Sequence, residues 1–455
     1  MTRLRLTAVC AALFLSACAA VPNTARDIAD IKLPTGWQHA APADSVQAAL
    51  NRDWWKQFND PELNRLIDIA LQQNSDLSVA AYNLQKALLQ SDLATAELLP
   101  QLSASASGSS SKSLEGGAST RSFGAKGGIS FQIDLFGKLL KARDARQWLA
   151  KASAADRQNV ELAITTRTAL LYWQLAALNR QITLADSNVT QAQQLLELMR
   201  VRYDAGAVAR MDVVNTEQNL RSRQSERTAL THERNQARHT LAVLLGETPD
   251  TRVTELPDLP AAVPPSLTPD LPATVLDNRP DVRAARMRLM ADMANVSVAV
   301  RDFFPSLNVT ANASGGGAHL SDIVANPIGA LTLNALLPFL NFPSNTLNLK
   351  VSQTQYQANL AQYKNTLYTA LSEVENAHSQ HTQLTAQHRL LTENLTAARQ
   401  LEAMRTVRYR EGADALQDLL NAQSNTRNAE LALLQNRLAL YQNFLTRYTA
   451  LGGAQ

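Results

Sequence analysis

Val201-Arg202-Tyr203-Asp204-Ala205-Gly206-Ala207 is written a second time, with changes, as Val407-Arg408-Tyr409-Arg410-Glu411-Gly412-Ala413. The two stretches lie 206 residues apart, counted from Val201 to Val407. The same spacing carries Asp212-Val213-Val214-Asn215 onto Asp418-Leu419-Leu420-Asn421. Nearly the same spacing carries Leu98-Leu99-Pro100-Gln101-Leu102 onto Phe303-Phe304-Pro305-Ser306-Leu307. Asn74-Ser75-Asp76-Leu77 returns as Asn278-Arg279-Pro280-Asp281-Val282, with one residue inserted. Matches in one order throughout mean a chain built twice from a single unit.

Each half reads alike. A helix of moderate length (about 61–98 and 281–303) precedes two strand-like segments around a Gly/Ser-rich stretch. A very long helical run then leads to the Gly-Ala point, and a second long helix returns. Glycine permits the positive φ that a helix reversal needs. From Lys138 to Ala205 no proline or glycine interrupts, which gives roughly 100 Å of helix at 1.5 Å per residue. Leu171, Leu175, Leu178, Ile182, Ala185, Val189, Ala192, Leu196, Met199 and Tyr203 alternate steps of four and three, the seam of a coiled coil. Leu431, Leu434, Leu438, Tyr441, Leu445 and Tyr448 repeat it. Gly246 to Pro272 is rich in proline and reads as a linker or belt.

The strand segments alternate. Ile129, Phe131, Ile133 and Leu135 interleave with Ser130, Gln132 and Asp134; Leu307, Val309, Ala311 and Ala313 interleave with Asn308, Thr310 and Asn312. Period-two patterning over about ten residues suits a membrane-spanning strand. Fainter partners lie near Leu102–Ser107 and Ile328–Leu337, with long turns at Ser107 to Ser122 and Gly315 to Asn326. Four strands cannot close a barrel, so a barrel would need several chains.

The N-terminus carries Arg3 and Arg5, an apolar stretch from Leu6 to Leu15, and then Leu15-Ser16-Ala17-Cys18. That pattern resembles a bacterial lipoprotein signal cut before Cys18, which would bear the lipid. Ala19 stands where an aspartate would favour the inner membrane, so the outer membrane is expected. The chain's two cysteines are Cys10 and Cys18, so the mature part has no thiol for a disulfide or metal. Net charge is +3 with both signs mixed, and no basic block points to nucleic acid. No phosphate loop, nucleophile motif or metal-ligand cluster appears, so neither enzyme activity nor a cofactor is expected. His378, His381 and His388 have spacings that could hold a metal, yet two of them continue a heptad with Leu384, Leu391 and Leu395.

Several of these pieces together resemble the TolC/OprM family of outer-membrane efflux proteins, in its lipoprotein branch. They are Trp54-Trp55-Lys56-Gln57-Phe58 with Asp60-Pro61-Glu62-Leu63, Arg279-Pro280-Asp281-Val282, Ile133-Asp134-Leu135-Phe136-Gly137 and the two Tyr-x-x-Gly-Ala tips. The second-half corner, Pro338-Phe339-Leu340-Asn341-Phe342-Pro343, departs from the family's glycine pair. The resemblance implies a mainly α fold with a small membrane β part. Duplicated long-helix hairpins would form a twelve-helix periplasmic barrel, and four strands per chain a twelve-stranded barrel, across a homotrimer.

The expected segments are a signal peptide at 1–17, a lipid-anchored extended stretch at 18–60, a first repeat at 61–245, a belt at 246–275, a second repeat at 276–449 and a tail at 450–455. The implied function is a passive duct of a tripartite efflux system, with a periplasmic adaptor and an inner-membrane pump as partners. The implied adaptor contacts are Arg202, Tyr203, Gly206, Ala207, Arg408, Tyr409, Gly412 and Ala413. The implied gate is Asp212, Asn215, Asp418 and Asn421. For the two aspartates, helix-start chemistry is an equal reading. A duct of the same fold serving type I protein secretion, and a periplasmic coiled-coil adaptor, are the competing readings.

Overall fold

A computed structural model of the chain describes residues 21–38, 52–114, 116, 118–265, 267 and 272–453. Cys18 and most of the expected anchor segment lie outside the described residues. In chain order the elements are α1 (Thr24–Ala29), a 3-10 turn (Trp54–Phe58), α2 (Pro61–Gln73), α3 (Ser75–Ala96), β1 (Gln101–Ser111), β2 (Thr120–Ile133), α4 (Lys138–Asp204) and α5 (Arg210–Leu244). Then follow α6 (Pro272–Asn278), α7 (Pro280–Arg301), β3 (Ser306–Gly317), α8 (Asp322–Ala325), β4 (Ile328–Leu336), a 3-10 turn (Pro338–Asn341), α9 (Phe342–Arg410) and α10 (Leu416–Ala450). The long helices α4 and α9 contain 67 and 69 residues. No described helix is long and apolar enough to cross a membrane.

The moderate helix expected over 61–98 is two helices. Asn74 divides them, and its side chain serves two neighbours. Its carbonyl oxygen accepts from the Leu77 N–H at 3.1 Å, the N-cap bond of α3. Its amide donates to the Leu244 carbonyl at 2.8 Å, at the end of α5. In the second half Arg279 separates α6 from α7 and donates to the Ala450 carbonyl at 3.1 Å. Leu244 and Ala450 are again 206 residues apart.

The chain divides into two compact units. The first takes the strands, the ends of α4 and α9 nearest them, α1, most of α3, and α7 apart from its first residue. Its sheet is antiparallel in the order β1-β2-β3-β4, so β1 and β4 are edges. The strands run further than the sequence showed. β1 extends to Ser111 and β2 starts at Thr120, inside the expected turn. Ser103 to Ser111 has small or hydroxyl side chains on both faces, which hides the alternation.

Register sorts the sheet into two faces. Gln132, Asn308 and Asn334 share one face with Ser130, Thr310 and Thr332. Leu102, Ile129, Ala311 and Leu331 share the other. At the first corner Gly137 has φ +71°, and Asp134 accepts from the Leu139 and Leu140 N–H groups. The second corner replaces that device by the Pro338–Asn341 turn, with Asn345 donating to the Asp302 and Pro338 carbonyls. Lys138 pairs with Asp302 at 2.5 Å, and the Phe136 and Phe304 rings stack at 4.9 Å.

The second unit holds the hairpins and the belt. Its core gathers Trp54, Trp173, Tyr441, Phe444 and Tyr448, with Leu63, Leu66 and Ile67 of α2 fully buried. The expected seam is largely buried, at Leu175, Leu178, Ile182 and Ala185 on α4 and at Leu434, Tyr441, Leu445 and Tyr448 on α10, but Tyr203 at its end is exposed. The belt is pinned by Glu255, whose carboxylate takes two bonds from Arg238, at 2.5 and 2.9 Å, and one from Asn179 at 3.0 Å.

Candidate functional site: the two hairpin tips

Both long helices end in the same backbone device. At the first tip the Gly206 N–H donates to the Tyr203 carbonyl at 2.9 Å, and Ala207 to Arg202 at 2.8 Å. At the second, Gly412 donates to Tyr409 at 3.1 Å, and Ala413 to Arg408 at 2.8 Å. Each glycine has φ +74°. This paired bonding is a Schellman cap, which needs a left-handed residue at its centre. Arg202, Tyr203 and Ala207, like Arg408, Tyr409 and Ala413, therefore supply the frame of the turn. Gly206, Ala207, Gly412 and Ala413 are all exposed.

The tips meet through a hydrogen bond and through Leu420, which packs against the apolar cluster of the first tip. Arg202 donates from Nη2 to the Tyr409 hydroxyl at 3.3 Å. Tyr203 instead lies under the Arg210 guanidinium, 5.9 Å from its ring centre.

The four expected gate residues fall at matching helical positions but in different surroundings. Asp212 is the third residue of α5, half-buried, and its carboxylate accepts the Ala209 N–H at 3.0 Å. That bond satisfies one of the donors a helix start leaves open. Asp418 is the third residue of α10, exposed, and among the described residues it makes no such bond. Asn215 is exposed; Asn421 is exposed too, and its side-chain carbonyl accepts from Gln417 at 3.0 Å.

The strongest electrostatic feature at the tips was not among the expected residues. Asp414 lies between two guanidinium groups, with Arg405 donating at 2.9 Å and Arg408 at 2.8 Å. The carboxylate side chain is only 4% exposed. Hydrogen bonds from Arg405 and then Arg408 hold its carboxyl below the usual carboxylate range. At the same spacing the first repeat has Met199 for Arg405 and Val208 for Asp414. Met199 is buried, and Val208 packs against that apolar cluster with Leu195 and Val213. One tip is thus closed by apolar packing and the other by an ion triad. The signal was a double exchange at one repeat offset, visible only when both positions are compared.

The three histidines of α9 follow the same contrast. His388 meets Asn436 at 3.0 Å, His381 lies beside Asn443, and His378 stands 3.4 Å from Arg447. The first repeat has Ile182 and Leu230, Leu175 and Ala237, and Tyr172 and Leu241 at these places. Burial, followed by the Arg447 charge, pushes the His381 imidazole down to about 4. The seam of the second hairpin is therefore polar at three successive levels where the first is apolar or aromatic.

The comparisons agree with this double construction. The family described as outer membrane efflux protein matches residues 66–247 and 271–453. The pyoverdine export outer membrane protein OpmQ of Pseudomonas aeruginosa is 30% identical over 465 residues, covering 100% of this chain and 97% of that protein. The toluene efflux pump outer membrane protein TtgC of Pseudomonas putida is 28% identical, covering 100% of this chain and 96% of its own. The open-state crystal structure of the Neisseria gonorrhoeae MtrE outer membrane channel superposes with a TM-score of 0.81 at 27% identity, over 93% of this chain and 96% of that one. The two matched segments fall one on each repeat, so the duplication is the family's own, and the chain belongs to the outer membrane efflux proteins.

Proposed function

We propose that three copies of this chain form a passive outer-membrane duct, joined by an adaptor to an inner-membrane pump. The observation that carries it is the sheet. Four strands with two open edges leave rows of unpaired backbone groups, which a bilayer does not tolerate. Pairing β4 of one copy with β1 of the next closes twelve strands and removes every edge. The apolar face carrying Leu102, Ile129, Leu331 and Leu333 then meets lipid, and the face carrying Ser103, Ser130, Thr310 and Thr332 meets water. Cys18 bears the lipid, which adds membrane affinity without spanning the bilayer.

The duct moves small molecules and makes no covalent change in them. The exposed Gly-Ala tips receive the adaptor. Asp212 and Asp418, with Asn215 and Asn421, line the narrow end. Asp418 is the freer carboxylate for that task, because Asp212 is bonded to its own helix start. A deletion strain tests the transport reading: susceptibility to a panel of small toxic compounds should rise, and wild-type chain should restore it. Recovery of a heat-stable trimer from outer-membrane extracts tests the assembly. A monomer in those extracts, or unchanged susceptibility, contradicts the reading.

A further inference from the structure

One face of the sheet is polar and almost uncharged. Of all residues paired in the four strands, only Arg121 and Lys126 carry charge. Arg121 lies at the second position of β2, in register with Ser110, on the face that also takes Leu102 and Ile129. Lys126 lies mid-strand on the polar face, level with Ser105 on β1 and Ser314 on β3. The next rows on that face are Ser107, Gly124 and Gly316 on one side, and Ser103, Gly128 and Asn312 on the other. No carboxylate is paired anywhere in the sheet. Lys126 is exposed, amid serines, glycines and Asn312, with Ile328 completing its row on β4.

We propose that Lys126 forms a ring of three ammonium groups inside the strand barrel and makes the barrel favour anionic over cationic solutes. The proposal rests on the trimeric duct reading above. Twelve strands about 4.8 Å apart, tilted by about 40°, give a barrel radius of about 12 Å. A lysine stem extended inward by about 6 Å brings each charge to about 6 Å from the axis. That is inside the Debye length of about 8 Å at physiological salt, so the ring's potential covers the whole cross-section. Low-dielectric walls focus such a field, and rings of lysine or arginine are how pores prefer anions. The opposing carboxylates that would cancel it are missing from the sheet. Cargo with a carboxylate or phosphate would be concentrated at this level, and cationic cargo depleted.

The test uses the full chain in intact cells. Ser105→Cys places a thiol level with Lys126, in a chain whose own cysteines are Cys10 and Cys18. Its labelling rates with an anionic and a cationic methanethiosulfonate are compared, with Lys126 present and in a Lys126→Glu background. Taking the ratio of the two rates cancels differences in thiolate fraction. The anionic-to-cationic ratio should fall by about tenfold on Lys126→Glu, and Lys126→Arg should leave it unchanged. An unchanged ratio in Lys126→Glu trimers overturns the ring alone. Absence of trimer from the parent Ser105→Cys and wild-type chains overturns the duct reading, and the ring with it.

Discussion

Arg405 donates to the Asp414 carboxylate at 2.9 Å across the turn of the second hairpin, where the first hairpin has Met199 packed beside Val208. The exchange gives the second tip a chemistry that salt and acid can reach. Asp414→Asn should loosen that tip and leave the first untouched. Limited proteolysis would then cut near Gly412 faster than near Gly206, and added salt would narrow the gap between variant and wild type. The double variant Arg405→Met with Asp414→Val installs the apolar pair and should remove the salt dependence. Equal cutting at both tips in Asp414→Asn would refute the ion triad's role.

Neutralising the helix-start carboxylates separates their two functions. Asp418→Ala removes an exposed charge that makes no capping bond, and should raise closed-state conductance in planar bilayers with a smaller loss of stability than Asp212→Ala. Asp212→Ala also removes the bond to the Ala209 N–H, and should cost about 1 kcal/mol in denaturant unfolding. Closed-state conductance unchanged in the double variant would exclude these residues from the gate.

The helix-ending glycines are not equivalent. A Cβ at Gly206 or Gly412 meets nothing within 4 Å, so Gly→Ala there costs only the left-handed backbone penalty, about 1 kcal/mol. At Gly246, φ is +76° and a Cβ would lie 2.5 Å from the Gln73 carbonyl oxygen. Gly246→Ala should therefore cost about 3 kcal/mol, since backbone must move as well. Equal losses for the two variants in denaturant titrations would show that the approach to Gln73 is not constraining.

His381 provides a pH signature. Its folded value, about 4, is below its ordinary 6.5, so the unfolded chain takes the proton first as pH falls. Its contribution to stability is complete above pH 6.5, declines between 6.5 and about 4, and changes no further below that. The cause is burial reinforced by Arg447, so His381→Gln should flatten the unfolding midpoint over this window. A wild-type midpoint that does not move between pH 6.5 and 4.5 would contradict the assignment.

Much of this architecture was legible because the chain repeats itself. The 206-residue spacing located both Schellman caps, since glycine is favoured where a helix end needs a positive φ. The α4 seam was legible from Leu171 to Met199, with Val189 half-buried, because Leu and Ile at steps of three and four have one meaning on a long helix; at its end Tyr203 is exposed instead. Asn74 was only a repeat anchor in the sequence, because its partner, Leu244, is 170 positions away. The His–Asn levels were likewise hidden: each histidine fitted the heptad, but the residue opposite was set by the antiparallel register of α9 on α10. The strand ends were underestimated because serine and glycine on both faces erase period-two contrast. Arg405, Arg408 and Asp414 became one cluster only where the turn brought them together.

The open edges of β1 and β4 also bear on inheritance. A chain whose sheet is finished only by its neighbours cannot fail alone. If a variant still pairs at its edges but blocks the lumen, random mixing with equal wild-type chain leaves only about one trimer in eight free of it. Such an allele would act as a dominant inhibitor of export, whereas a variant with a broken β1 or β4 edge would be excluded from trimers and behave as recessive.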